Sequence, residues 1–284
     1  MFQTISFDND LYPGLLLGVK DFPKELYIKG NLCHDSFQLC LGVVGSRRMT
    51  SYGLSVTEEL VAGLVSYGIT IVSGFMYGVD ITAHTSAMKH GGKTIAVMPC
   101  GINLIYPTRH WRYYEELLSS GGLVVSEYLD DISPRKWMFL DRNRIVAGIS
   151  LGVLVVEAME NSGSLITANF AREFGRKLFA VPGSIFSPTS YGANVLIKRG
   201  GVLVNSVEDI IVELGLLVRE GLKKAARAGD DSLENKIILS LLSAPKNYDQ
   251  LLIDVQNHDD LRKSLMKLEL EGSVIYKGGY YCVS

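Results

Sequence analysis

Short apolar runs recur along the chain and are separated by stretches of helical length. The runs cover residues 39–44, 69–72, 94–98, 123–125, 153–156, 178–181 and 202–204. Strands that are apolar throughout, and that alternate with helices, are typical of a parallel sheet that is covered on both faces. The pattern therefore predicts an α/β fold: a Rossmann-like, mostly parallel sheet with helices on both faces.

Helical periodicity fills most of the gaps between these runs. Val56, Leu60, Leu64 and Tyr67 fall on one face of a helix predicted over residues 52–67. Ligands of such folds bind beyond the carboxyl ends of the strands. The glycine-rich and polar loops lie at those ends, at residues 45–48, 73–78, 99–101 and 157–164. We expect these loops to converge on one edge of the sheet.

The pattern changes at both ends of the chain. Residues 1–38 are rich in turn signals, with one short strand at 26–28, and are predicted to pack on the Rossmann-like domain of residues 39–217. Residues 218–235 are polar and charge-rich and predict a linker. Residues 236–284 predict a small winged-helix domain, with helices at 237–242, 248–255 and 261–270 and a hairpin at 274–283.

Composition narrows the choice of partner. The chain has 284 residues, 47% of them hydrophobic, and a formal net charge of −2. A large core is therefore available, and a site for nucleic acid must be a local groove rather than a basic face. Residues 233–284 carry seven acidic and six basic residues, so the winged-helix segment is predicted to contact protein or pack rather than attract duplex DNA.

The cysteines and the N-terminus bear on the compartment. The four cysteines form no C-x-x-C pair and no cluster with histidine, which indicates reduced thiols and no zinc site. The N-terminus shows no secretory signal, and no apolar run reaches the roughly 18 residues of a membrane span. These features predict a cytoplasmic protein with no membrane partner, no metal and no cofactor.

Candidate ligand-binding side chains are most concentrated between residues 136 and 183. Lys136, Phe139 and the cluster Arg142-Asn143-Arg144 precede an apolar strand, and a loop of small residues that includes Ser164 and Thr167 follows it. Cations for phosphates, a ring for stacking and free backbone N–H groups suit single-stranded nucleic acid. The alternative for at least one of the two arginines is an internal salt bridge to Glu127 or Glu157.

Other motifs predict no catalysis. Gly45-Ser46-Arg47 could hold a phosphate or form a tight turn with a solvated Arg47. Gly92-Lys93-Thr94 lacks the order of a P-loop. Ser73, Asp80 and His84 invite a catalytic triad, but we expect Asp80 to cap or pair locally and His84 to be a polar helix residue.

The ordered set of motifs resembles the DNA-processing protein A (DprA, or Smf) family over almost the whole chain. Its pieces are Tyr12-Pro13, Gly45-Ser46-Arg47, Ser73-Gly74, Gly78-Val79-Asp80, Tyr106-Pro107, Phe139 with Arg142-Asn143-Arg144, Ser162-Gly163-Ser164 to Thr167-Ala168, and Pro182-Gly183. The resemblance implies an extended Rossmann domain that dimerises, and single-stranded DNA binding that helps to load the RecA recombinase in natural transformation.

By the matching motifs, Ser46, Arg47, Lys136 and Phe139 resemble the residues of the DNA pocket, and Arg109 is a further candidate for a backbone contact. The whole predicted DNA site consists of Gly45, Ser46, Arg47, Gly74, Arg109, Lys136, Phe139, Arg142, Asn143, Arg144, Ser164 and Thr167. The alternatives are a Rossmann-type nucleotide phosphoribohydrolase, whose Pro-Gly-Gly-x-Gly-Thr signature is missing here, and a nucleotide sensor with no polymer partner.

Overall fold

The largest element of the fold is a mostly parallel sheet. The computed structural model describes residues 2–216, 233–243, 246–255, 257–270, 273–277 and 279–283. In these residues, nine strands form one sheet in the order β1-β2-β6-β5-β4-β3-β7-β8-β9. They are β1 (Gln3–Ser6), β2 (Glu25–Gly30), β3 (Cys40–Val44), β4 (Thr70–Ser73), β5 (Thr94–Met98), β6 (Leu123–Ser126), β7 (Gly152–Val155), β8 (Lys177–Ala180) and β9 (Val202–Leu203).

The seven strands β3 to β9 run parallel to one another, which confirms the predicted fold class. Strands β3 to β7 are buried along their whole length, as expected of a sheet covered on both faces.

The N-terminal segment contributes more strand than its sequence indicated. β1 and β2 extend the sheet as an antiparallel pair, and β2 pairs antiparallel with β6. The sequence predicted only a short strand at 26–28, where Leu26 and Ile28 are buried. β1 buries a single apolar side chain, Ile5. One buried residue does not produce the alternation of apolar and polar positions that predicts a strand.

Helices cover both faces of the sheet. They are α1 (Gly14–Leu17), α2 (Ser51–Ser66), α3 (Val79–Lys89), α4 (Trp111–Ser119), α5 (Lys136–Gly148), α6 (Gly163–Glu173), α7 (Tyr191–Lys198) and α8 (Val207–Glu213), with 3₁₀ helices at Thr108–His110 and Pro188–Ser190. The helix predicted at 52–67 is α2. It begins after Thr50, whose hydroxyl accepts a hydrogen bond from the Gly53 N–H, and its apolar face buries Leu60 and Leu64.

The order of the strands creates a crevice at the centre of the sheet. β3 lies between β4 and β7, and the chain leaves β3 towards β4 but leaves β7 in the opposite direction, towards β8. Right-handed crossovers in opposite directions carry their helices to opposite faces. The loops that follow β3 and β7 therefore diverge and leave a crevice beyond their carboxyl ends.

The C-terminal residues form a small unit of their own. The chain divides into two units, Met1–Ile210 and Ile211–Ser284. The second contains α9 (Leu233–Ser243), α10 (Tyr248–Val255), α11 (His258–Leu270) and an antiparallel hairpin of β10 (Val274–Lys277) and β11 (Tyr280–Val283). Three helices followed by a hairpin agree with the predicted winged helix. Most of the predicted linker, 218–235, lies outside the described residues.

Aliphatic side chains form the core of this second unit. Ile237 and Leu241 of α9 pack against Leu251 of α10 and against Leu261 and Leu265 of α11. Of the helices that the structure describes, in either unit, none combines the length and the apolar character needed to cross a membrane.

Candidate nucleic-acid site

A cavity of about 890 Å³ occupies the crevice at the carboxyl ends of β3, β4 and β7. The loop after β3, α5, and the loop that joins β7 to α6 supply most of its walls. Most of the predicted site residues line it, namely Gly45, Ser46, Arg47, Gly74, Phe139, Arg142, Asn143, Ser164 and Thr167. The structure thus brings together segments that lie about a hundred residues apart in the sequence.

A cation and an aromatic ring meet at the mouth of the cavity. Arg47 is exposed, and the carbon of its guanidinium group lies 5.7 Å from the centroid of the Phe139 ring. Phe139 is half-buried, and its ring packs edge-on against Tyr106 at 5.6 Å. The cation–π attraction orients both side chains without using up the charge of Arg47. A positive charge and a stacking ring are therefore available side by side.

The loop that carries Arg47 is held by close backbone packing. The Ser46 hydroxyl accepts a hydrogen bond from the Arg48 N–H at 3.1 Å, and the Ser46 carbonyl accepts one from the Val79 N–H at 3.2 Å. Gly78 has a φ of 75°, and a Cβ atom there would lie 2.9 Å from the Arg47 Cα. Only glycine suits this conformation and this close approach. The position of Arg47 thus depends on Gly78.

Arg142 lies beneath the cavity and braces it. Its side chain donates hydrogen bonds to the carbonyls of Gly74 and Val97, the second at 3.0 Å, and to the Asn143 Oδ1 at 3.0 Å. Burial lowers the pKa of Arg142 to about 10, and the nearby Asp80 charge opposes that shift. Arg142 therefore stays protonated at neutral pH. It ties the ends of β4 and β5 to α5.

Asp80 supplies the negative charge beside this buried arginine. Its carboxylate accepts a hydrogen bond from the Met76 N–H at 3.3 Å, so Asp80 pairs locally, one of the two roles predicted for it. Burial raises the pKa of Asp80, and the charge of Arg142 opposes this. Phe75, in the loop between β4 and α3, has a φ of 62°, which is uncommon for a bulky side chain. Its carbonyl is held by the buried ring of His110 at 3.0 Å.

Arg144 faces away from the cavity. Its guanidinium group pairs with Glu127 at 2.5 Å, the internal salt bridge expected for at least one of the two arginines. Burial raises the pKa of Glu127, and Arg144 acts against that shift. Glu157 is held differently: it accepts hydrogen bonds from the Thr50 N–H and hydroxyl at 2.8 and 2.7 Å and from the Thr189 hydroxyl at 3.0 Å. The glutamate after β7 is therefore anchored by two hydroxyls and a backbone N–H rather than by an arginine.

The first turn of α6 forms the opposite wall. Ser162 caps the helix by accepting a hydrogen bond from the Ser164 N–H at 3.4 Å, and its hydroxyl lies 2.8 Å from that of Ser164. Asn143 donates to the Gly163 carbonyl at 3.4 Å, which ties this turn to α5. The first turn carries no acidic residue. The positive end of the helix therefore favours an anion here.

Besides Arg144, two more predicted contact residues do not line the cavity. Lys136 is exposed at the start of α5, one turn before Phe139, so the two side chains lie on the same face of the helix. Lys136 thus lies at the rim. Arg109 is exposed on the 3₁₀ helix Thr108–His110.

The residues of the suspected triad do not form one. Ser73 donates its hydrogen bond to the Val43 carbonyl at 2.6 Å. His84 is fully buried in α3 rather than an ordinary polar helix residue, and its Nδ1 lies 2.7 Å from the Thr94 hydroxyl. Burial lowers the pKa of His84 to about 3. His84 is therefore a neutral core residue and faces Thr94 instead of Ser73.

Sequence reasoning missed several residues of the wall. Met76 and Asp80 follow β4, Arg48 follows Arg47, and Pro188 and Tyr191 follow β8. The signal for the last two was the Pro182-Gly183 turn, which marks the carboxyl end of β8 and so the same edge of the sheet.

Comparisons with known proteins place the chain in a family. Residues 3–215 match the family model described as DNA recombination-mediator protein A. The Smf protein of Escherichia coli is 44% identical over 75% of this chain, and the DNA processing protein DprA of Streptococcus pneumoniae is 42% identical over the same share. The match spans 56% of the length of the first and 74% of the second.

Solved structures agree with these relatives. The crystal structure of DprA from Streptococcus pneumoniae superposes with a TM-score of 0.69 at 41% identity, covering 75% of this chain and 74% of the other. A structure of DNA processing protein A from Helicobacter pylori, which was studied for its single-stranded DNA binding mode, has a TM-score of 0.67 at 32% identity, covering 75% of this chain and 95% of the other. The chain belongs to the DNA recombination-mediator protein A family.

Proposed function

We propose that this chain binds single-stranded DNA in the cavity at the centre of its sheet and acts as a recombination mediator. The observation that carries the proposal is the pairing of exposed Arg47 with the Phe139 ring at the mouth of that cavity. The relative from Helicobacter pylori, whose binding of single-stranded DNA has been studied structurally, supports the same ligand.

Each part of the ligand has a matching group. A base stacks on Phe139, an interaction worth about 1–3 kcal/mol in single-strand complexes. The flanking phosphates lie against Arg47 and Lys136, and a further phosphate lies at the first turn of α6 beside Ser164. None of these groups reads the edge of a base, so binding is tolerant of sequence.

The site holds its ligand without converting it. One carboxylate of the cavity wall, Glu160, is exposed. Of the two buried carboxylates near the cavity, Glu157 is 1% exposed and accepts hydrogen bonds from Thr50 and Thr189, and Asp80 is 8% exposed beside Arg142. Neither is placed to serve as a general acid or base on a bound nucleotide. Both carboxylates stabilise the loops around the cavity, and this supports a binding protein rather than an enzyme.

The wider assignment follows from the family. We propose that the chain helps to load the RecA recombinase on incoming single strands during natural transformation, acts in the cytoplasm, and dimerises through its Rossmann domain. Light scattering on the purified chain tests the dimer. Filament assembly by RecA on single-stranded DNA, measured with and without this protein, tests the loading. No acceleration of assembly would contradict the recombinase role and leave DNA binding unaffected.

A titration of labelled oligonucleotides tests the central proposal. We expect tight, salt-dependent binding of single strands and much weaker binding of duplexes. Arg47→Ala is expected to weaken single-strand binding for every sequence. Arg172→Ala, which removes an exposed cation from the last turn of α6, is the matched control and is expected to have no effect.

Two results would contradict the proposal. If Arg47→Ala and Arg172→Ala bind single strands equally, the cavity is not the binding site. If mononucleotides bind as tightly as oligonucleotides, the chain is a nucleotide sensor, and if nucleoside monophosphates release free base, it is a phosphoribohydrolase.

A further inference from the structure

Exposed aromatic rings continue outward from the mouth of the cavity. We propose that this surface is a second subsite for single-stranded DNA, where bases next to the one in the cavity stack. We call it the tyrosine strip and define it by Tyr77, Tyr106, Arg109 and Tyr113. The proposal rests on the proposed function, since it takes the same strand further along the surface.

Ring contacts link the strip to the cavity on one side. The Phe139 ring, which lies under the Arg47 guanidinium group, packs edge-on against Tyr106 at 5.6 Å. Pro107 follows Tyr106, and the 3₁₀ helix Thr108–His110 with exposed Arg109 comes next. A strand that leaves Phe139 along this side therefore meets a ring and then a cation.

Backbone packing links the strip to the cavity on the other side. The Gly78 backbone lies against that of Arg47, and the Val79 N–H donates to the Ser46 carbonyl at 3.2 Å. Tyr77 directly precedes this contact. Its ring lies 4.6 Å from that of His110, and the His110 ring lies 5.7 Å from that of Tyr113. The two routes meet at the 3₁₀ helix.

The strip has the exposure that a stacking platform needs. The Tyr77 and Tyr113 side chains are 44% and 40% exposed, although their rings are anchored on buried His110. His110 is in turn fixed to the Phe75 carbonyl at 3.0 Å. Rings that are held in place yet open to solvent lose little conformational freedom when a base stacks on them.

Charge along this surface favours a polyanion. Between Tyr106 and Tyr114 the chain carries no carboxylate and contributes Arg109 to this surface, and Glu115 and Glu116 come only later in α4. The first turn of α4 contains no acidic residue, so its positive end is not neutralised. With Arg47 and Lys136 at the rim, cations flank both ends of the path.

The test compares two lengths of oligothymidine, one of about six nucleotides and one of about fifteen, which span the usual range of single-strand site sizes. Binding of the short strand reports the cavity, and the gain in affinity on lengthening reports the strip. We expect the double variant Tyr77→Ala with Tyr113→Ala to lose this gain in affinity for the long strand, by roughly fivefold or more for each stacked base that is lost. Its affinity for the short strand is expected to be unchanged. Phe at both positions is expected to restore the gain, because stacking uses the ring.

Trp111→Ala is the matched control within the same helix. Trp111 is 52% exposed, more than Tyr113, and the two positions are about 200° apart around an α-helix. The Trp111 ring lies 5.3 Å from the Arg112 guanidinium carbon. Arg112 therefore lies on the Trp111 side of the helix, away from Tyr113. We expect Trp111→Ala and Arg112→Ala to keep the gain. Arg109→Ala is expected to lower the salt slope for the long strand alone by about 0.7.

The outcomes separate the two proposals. If the double variant retains the full gain, or if Trp111→Ala removes it instead, the tyrosine strip is not the subsite, whereas the cavity proposal stands on short-strand binding. If wild-type protein shows no gain on lengthening, the strip is likewise excluded. Unchanged thermal unfolding of the double variant would establish that any loss arises at the surface.

Discussion

Arginines of the same sheet edge behave in opposite ways. Arg47 and Arg142 both line the cavity, but Arg47 is exposed and packs over a ring, whereas Arg142 is 4% exposed and donates to backbone carbonyls. We call exposed Arg47 and Lys136, together with half-buried Phe139, the rim. We call buried Asp80, His84 and Arg142, together with the half-buried Arg144–Glu127 pair, the buried layer.

The difference teaches which cations are available to a ligand. A buried guanidinium group whose N–H donors are hydrogen-bonded stabilises the fold and fixes the shape of the site. Breaking those hydrogen bonds would cost several kcal/mol of unfolding free energy, so the group is not available to a ligand. A guanidinium group in solvent contributes almost nothing to stability but is free to meet a phosphate. Changes in the buried layer are therefore expected to act on unfolding, and changes at the rim on DNA affinity.

The largest effect is expected for Arg142→Ala. The change leaves the Gly74 and Val97 carbonyls without their donor and the buried Asp80 without its cation. Breaking such a buried arrangement costs about 3–5 kcal/mol of unfolding free energy. Urea denaturation measures it. A loss below about 1 kcal/mol would mean that Arg142 is not a brace, and the division between rim and buried layer would fail.

Gly78→Ala is expected to come next, with a loss of about 2–3 kcal/mol, because the residue has a left-handed φ and its Cβ would press on Arg47. Gly91→Ala is the matched control: φ is 71° there, but no atom lies within 4 Å of the new Cβ, so the loss should be only about 1 kcal/mol. Gly78→Ala should also weaken single-strand binding, whereas Gly91→Ala should leave it intact. Equal losses in both variants would show that the Arg47 loop tolerates displacement.

His84 gives the buried layer a dependence on pH. Its folded pKa of about 3 lies below the unfolded value of 6.5, so the unfolded chain binds more protons between these limits, and stability is lost as pH falls below 6.5. Between pH 7 and 5 the contribution amounts to about 2 kcal/mol. His84→Leu should lose less stability than wild type over that interval, as measured by urea denaturation at both values. Parallel losses would mean that His84 is not buried in its neutral form.

The smallest change in stability is expected at the rim. Arg47→Ala and Lys136→Ala should each alter unfolding free energy by less than about 0.5 kcal/mol. Each should nevertheless lower the slope of log affinity against log salt for single strands by about 0.7. Fluorescence anisotropy over a salt series measures the slope. A variant that loses stability but keeps its slope would belong to the buried layer instead.

Much of the fold followed from the sequence, because fully apolar runs at strand length leave little choice but a covered parallel sheet. The runs at 94–98 and 123–125 became β5 and β6 within a residue of their predicted bounds. β1 could not be predicted, because a strand at the edge with one buried side chain has no hydrophobic period. The same limit hid the burial of His84, since a lone histidine in a helix gives no sign of which face it occupies.

The sequence by itself determined the class of fold, the sheet edge where the polar loops gather and the residue types of the proposed single-strand site. Local chemistry is enough for these, because periodicity and turn residues act over a few positions. Only the tertiary structure decided that Arg47 meets Phe139 across more than ninety residues, that Arg142 is buried and that Arg144 faces Glu127. The solvent exposure of a side chain and the charges beside it depend on contacts between residues that are distant in sequence. Exposure and charge partners decide whether an arginine stabilises the fold, as Arg142 does, or remains available to a ligand, as Arg47 does.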